Sequence, residues 1–161
     1  PISLPFDDAE SVFRSAPLPM QFEGETDHPM HSCWLSLFDE SAESMLYLVT
    51  ETVATGRRHH LTEKTFKPIK HGQMFFIAGP AGSLQVLRDL GYRVFDHAID
   101  NSYDWETNNT KRWNMARAAI KQIAQYDTHD WFQSVYKDVV HNQQLFLQSK
   151  QDRVNNLLSK L

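Results

Sequence analysis

An α/β fold built on a parallel sheet is the architecture that this sequence of 161 residues predicts. Three observations carry the expectation. Short apolar runs with polar flanks recur at 45–49, 73–78 and 92–95, each of strand length. The stretches between them hold helix start and stop signals. Beyond residue 105 the apolar residues fall instead at helical spacing. Strand, helix, strand, helix, strand over residues 45–95 is a βαβαβ unit. Such a unit implies parallel strands with right-handed crossovers, half of a doubly wound, Rossmann-like sheet.

Taken in order, Asp7 to Phe13 opens with an Asp cap and acids in its first turn, which predicts a short helix. Three prolines and little periodicity make 16–30 irregular. The apolar stretch 33–38 is ambiguous between helix and strand. Met45-Leu46-Tyr47-Leu48-Val49 is continuously apolar, the pattern of a strand buried on both faces. Thr62 is the N-cap of a helix over 63–71 that stops at Gly72. Pro68 inside it removes a backbone donor, so that helix is expected to be kinked or short. Residues 73–78 form a second buried strand, Gly79-Pro80-Ala81-Gly82 turns the chain, and Ser83 caps a helix that runs to Leu90 and ends at Gly91. Residues 92–95 are predicted to be the third, shorter strand.

Two helices follow. Trp113, Ala116, Ile120, Ile123 and Ala124 share one face, with Lys111, Arg112 and Lys121 opposite. From about Thr128 a second apolar stripe runs through Phe132, Val135, Val139, Phe146 and Leu158. Unbroken, this helix spans roughly 45 Å. A core of this size does not cover such a length. The excess predicts a partner subunit, a further domain, or a break near His141-Asn142. The expected organisation is therefore an acidic, partly irregular segment over 1–44 packed on the domain, an α/β core over 45–125, and a C-terminal interface helix over 126–161.

Composition narrows the function classes. With 41% hydrophobic and 12% aromatic residues, wholesale disorder is excluded. No apolar run approaches the roughly 20 residues of a membrane helix. A single cysteine, Cys33, fits a reducing compartment, and the first residues lack a signal-peptide pattern, so a cytoplasmic location is expected. Residues 1–51 carry ten acids against one base, Arg14, whereas Arg57, Arg58, Lys64, Lys67 and Lys70 cluster with Glu63 as the only acid among them. With a pI near 6.0, so narrow a basic zone suits a small anion better than nucleic acid.

Two strand-to-helix junctions are candidate sites. In a parallel sheet, ligands bind outside the carboxyl ends of the strands, where helix N-termini direct N–H groups at anions. Thr62, Glu63 and Lys64 stand at the first junction: Lys64 suits a phosphate, and Glu63 suits the diol of a ribose. The plainer reading is a first-turn glutamate favoured by the helix dipole beside a solvated lysine. Gly79, Gly82 and Ser83 stand at the second junction, whose spacing matches neither the dinucleotide fingerprint nor the P-loop.

The sequence Thr50-Glu51-Thr52, then Leu61-Thr62-Glu63-Lys64-Thr65-Phe66-Lys67-Pro68-Ile69, then Met74 to Ala78 and Gly79, resembles the donor-binding half of GT-B glycosyltransferases of the α-1,3/4-fucosyltransferase type. Gly82-Ser83-Leu84, Gly91-Tyr92 and Asp100-Asn101-Ser102-Tyr103-Asp104 also resemble a branch found in phages and marine microbes. The likeness covers about residues 44–125. It implies half of a GT-B architecture and metal-independent, inverting transfer from a nucleoside-diphosphate sugar, with no other cofactor. By position, Glu63 would bind the ribose hydroxyls, Lys64 the phosphates, and Glu51 would face the donor sugar. Arg57 and Arg58 would add charge for the leaving diphosphate. Thr52 stands where the family usually has Asn. The resemblance leaves the catalytic residues unknown, because the base generally comes from the second domain. The alternative is a non-catalytic, oligomeric assembly module that keeps the fold.

Other groupings carry less. His28, His31 and Cys33 supply three zinc-type ligands where a structural site needs four, so no metal is expected. Asp100 to Asp104 reads as an Asx turn, or as a segment in which Asp100 or Tyr103 closes over the ligand. Trp105, Trp113 and Trp131 are expected to pack around the C-terminal helices.

Overall fold

The computed structural model describes residues 44–53, 55 and 60–159. Two parallel strands, β1 (Leu46–Thr50) and β2 (Met74–Ala78), pair in register from Leu46 against Met74 to Thr50 against Ala78. Between them runs α1 (Glu63–His71), and after β2 come α2 (Ser83–Asp89), a 3-10 turn at Ser102–Trp105, α3 (Asn109–Ile123) and α4 (Thr128–Leu158). The expected α/β class and the first parallel βαβ step are present.

α1 is the element that its sequence specifies best. The Thr62 hydroxyl accepts the N–H of Lys64, and Gly72 ends the helix in the left-handed conformation at φ 67°. The N–H of Gln73 then reaches back to the Pro68 carbonyl at 2.9 Å. Pro68 lies inside this nine-residue helix and removes one backbone bond, the one to the Lys64 carbonyl.

β2 is the centre of the core. Met74, Phe75, Phe76 and Ile77 are all buried. Successive side chains face opposite sides of a strand. Accordingly, Phe75 meets Phe95 edge-on at 5.0 Å, while Phe76 stacks on Tyr103 at 4.8 Å. β1 departs from expectation. Only Val49 is buried in it, and Leu48 and Thr50 are exposed, so it is not covered on both faces.

The expected third strand over 92–95 is not one. The side-chain amide of Asn142, buried on α4, accepts the N–H of Arg93 at 2.8 Å and donates to the Arg93 carbonyl at 2.8 Å. Asn101 donates to the Val94 carbonyl at 2.7 Å. These amides supply the partners that a neighbouring strand would otherwise give. Phe95 then turns the chain at φ 61°, outside strand geometry.

α4 is unbroken: it runs 31 residues through His141 and Asn142, and the Asn142 side chain braces the 91–95 segment without interrupting the helix. Val135 and Val139 bury its core face, and Phe66 of α1 stacks on Phe146 at 6.3 Å. Trp131 is buried as expected, whereas Trp105 is 61% exposed and does not pack into the core. Arg112, expected on the polar face of α3, is 2% exposed. No helix among the described residues is long and apolar enough to cross a membrane.

Candidate functional site

The carboxyl ends of β1 and β2 lie side by side, and the first residues beyond each strand build the rim. Glu51 follows β1 directly. Its backbone N–H extends the ladder to the Ala78 carbonyl, and its side chain is 5% exposed. One carboxylate oxygen accepts the Thr62 N–H at 3.0 Å and the Thr65 hydroxyl at 2.6 Å, and the other accepts the Thr62 hydroxyl at 2.7 Å. Burial opposes the charge on Glu51, but the hydrogen bonds from Thr65 and Thr62 outweigh it and hold the pKa below its ordinary value. Glu51 therefore clamps the start of α1 to the end of β1. Its carboxylate is engaged with Thr62 and Thr65 of the chain itself.

That clamp fixes the residues next to it. The Lys64 ammonium donates to the Thr52 hydroxyl at 2.9 Å and lies 3.5 Å from the Glu63 carboxylate. The two side chains are 41% and 46% exposed, so both remain open to a ligand. Thr52 thus holds the lysine. The first junction thus brings Glu51, Thr52, Thr62, Glu63 and Lys64 into one corner. Arg57 and Arg58 lie outside the described residues, as do His28, His31 and Cys33.

The second junction is closed from within. Gly82, in the left-handed conformation at φ 85°, is the N-cap of α2, so Ser83 is its first residue and not its cap, and the Ser83 hydroxyl donates to the Pro80 carbonyl at 2.7 Å. Asp104 takes the capping role from twenty residues away. Its carboxylate accepts the N–H of Leu84 at 3.1 Å and of Gln85 at 3.3 Å, and its carbonyl accepts that of Gly82 at 2.7 Å. The carboxylate is where a phosphate would otherwise sit on these amides. Burial pushes its pKa up, against the pull of the Leu84 and Gln85 amides. A Cβ at Gly79 would lie 3.0 Å from the Ser83 hydroxyl, so any larger residue there needs that side chain to give way.

The segment preceding Asp104 is structural too. Asp100 accepts the Ser102 N–H at 3.0 Å in an Asx turn, and the buried Tyr103 hydroxyl donates to the Ile77 carbonyl at 3.0 Å. The buried Arg112 donates to the Gly79 and Glu106 carbonyls and to the Asn109 side chain. Sequence reasoning passed over both Asp104 as a cap and Arg112 as a brace. The acid in the first helical turn is a readable capping signal only when it is local, and Asp104 acts across the fold. Among the described residues no group of three or more His, Cys, Asp or Glu side chains is placed to hold a metal ion.

Comparisons of the chain with protein-family models, with curated proteins and with solved structures find no match.

Proposed function

We propose that this chain is a sugar-nucleotide-binding domain of the glycosyltransferase type, in which Lys64 takes the phosphates and Glu63 the ribose hydroxyls of a nucleoside-diphosphate sugar. The observation that carries the reading is the exposed Lys64–Glu63 pair at the carboxyl end of β1, on a helix start that Glu51 holds rigid. A cation fixed before the ligand arrives loses less entropy on binding and stabilises charge on a departing diphosphate. Because Asp104 occupies the α2 amides, the proposed phosphate contact is confined to the α1 corner. No acceptor-activating base is assigned. The GT-B resemblance assigns that role to a second domain or partner, and the metal-independent chemistry rests on the same likeness.

Calorimetric titration of the chain with GDP- and UDP-sugars tests the reading. Binding in the micromolar to low-millimolar range that Lys64→Ala weakens by roughly 10- to 150-fold supports it, since a charge-assisted contact is worth about 1.5–3 kcal/mol. The absence of binding by any nucleoside diphosphate overturns it.

The second reading, an oligomeric assembly module without chemistry, is favoured by α4. Tyr136, Leu147 and Leu158 are more than half exposed and follow one another at intervals of eleven residues, close to three turns, along one side of the helix. Sedimentation of the chain and of Leu147→Lys separates the readings. A dimer that the substitution dissolves, together with no nucleotide binding, favours assembly.

A further inference from the structure

Trp105 is the most exposed aromatic side chain among the described residues. Its neighbours on the 3-10 turn are fully committed: the Tyr103 hydroxyl holds the Ile77 carbonyl near the end of β2, and Asp104 caps α2. The turn is thereby anchored to the carboxyl rim of the sheet, the same rim on which Lys64 stands at the end of β1. Trp105 is the last residue of that turn, with 61% of its surface exposed.

One neighbour of the indole is built. The Arg88 guanidinium lies 5.8 Å from the Trp105 ring centroid. It is held there by two hydrogen bonds to Asp96, at 2.6 and 3.1 Å, while its remaining nitrogen, Nη1, is buried with no hydrogen-bond acceptor. Asp96 is itself positioned by Asn101 and by the turn at Phe95, whose φ of 61° is costly for an aromatic residue. A salt bridge, an amide and a strained turn therefore converge on a guanidinium placed against an otherwise solvent-facing indole. A rigid indole that is backed by a cation and open to solvent is the arrangement on which nucleic-acid bases stack.

We propose that Trp105, backed by Arg88, is the stacking platform for the base of the bound nucleotide. This rests on the sugar-nucleotide reading given above and adds to it the residue that recognises the nucleoside end. Lys64 and Trp105 then divide the ligand between them, phosphate at the end of β1 and base beside the end of β2. Stacking is tolerant of base identity, so this contact supplies affinity more than selection among bases.

The test uses the whole chain with GDP, UDP and inorganic pyrophosphate in calorimetry, alongside the tryptophan emission of the wild-type protein. Trp105→Ala is expected to weaken both nucleoside diphosphates by roughly 5- to 100-fold, the range that loss of one base–aromatic stack gives. Pyrophosphate, which has no base, is expected to bind this variant as it binds the wild type, and Trp105→Phe to retain most of the affinity. Lys64→Ala is expected to weaken all three ligands. If Trp105→Ala binds GDP and UDP as tightly as the wild type while Lys64→Ala does not, the platform is refuted and the nucleotide reading stands. If the wild-type chain binds neither nucleoside diphosphate, both fail together.

Discussion

Thr65 donates a 2.6 Å hydrogen bond to Glu51, fourteen residues earlier in the chain, and both groups are buried. The contact joins the first turn of α1 to the end of β1 and fixes where the α1 corner stands. A hydrogen bond to a buried ionised group is worth about 1.5–3 kcal/mol, and here the same carboxylate also holds Thr62.

Glu51→Gln keeps the shape but puts an NH2 against groups that already donate. It is expected to lower unfolding stability by about 2–3 kcal/mol in urea denaturation, and to weaken nucleotide binding through the loosened α1 start. Thr65→Val, which removes one donor, is expected to cost about half as much.

Glu51 and Asp104 are expected to affect acid stability with opposite signs. The folded Glu51 has a pKa below its ordinary 4.5, so its stabilisation is complete above the carboxylate range and is lost as pH falls through the folded value. The folded Asp104 has a pKa above its ordinary 3.8, so the folded state takes up that proton first and gains stability as pH falls toward 3.8. Urea midpoints measured from about pH 3 to 7 are expected to fall less steeply in Glu51→Gln and more steeply in Asp104→Asn than in the wild type.

Asn142→Ala leaves both backbone groups of Arg93 without their partner and is expected to cost about 2–4 kcal/mol. Hydrogen exchange at the Arg93 amide is expected to accelerate more than at the amides of β2. Equal acceleration at both would mean that Asn142 acts only through global stability.

Gly79→Ala is expected to destabilise by about 1–3 kcal/mol through overpacking, since the new methyl would lie 3.0 Å from the Ser83 hydroxyl and 3.3 Å from Ile77 Cγ2. Adding Ser83→Ala removes the closer of these atoms and is expected to recover part of the loss. A double-mutant cycle that shows no coupling would place the strain elsewhere.

The amino-acid sequence by itself determined the elements whose signals are local. The boundaries of α1 follow from Thr62 and Gly72, and the positions of β1 and β2 from their apolar runs. What passes between distant segments was decided only in the tertiary structure. Asp104 caps α2 across twenty residues, Asn142 satisfies Arg93 across 49, and Arg112 reaches the end of β2 across 33. The physical reason is that a backbone N–H or carbonyl accepts any suitable partner that the fold delivers. A segment as apolar as 92–95 therefore becomes a strand only if another strand, and not a side-chain amide, arrives beside it. Tertiary structure likewise decided the exposure of Trp105. Its neighbours Tyr103 and Asp104 were drawn inward by hydrogen bonds, and a tight 3-10 turn leaves the next side chain facing out.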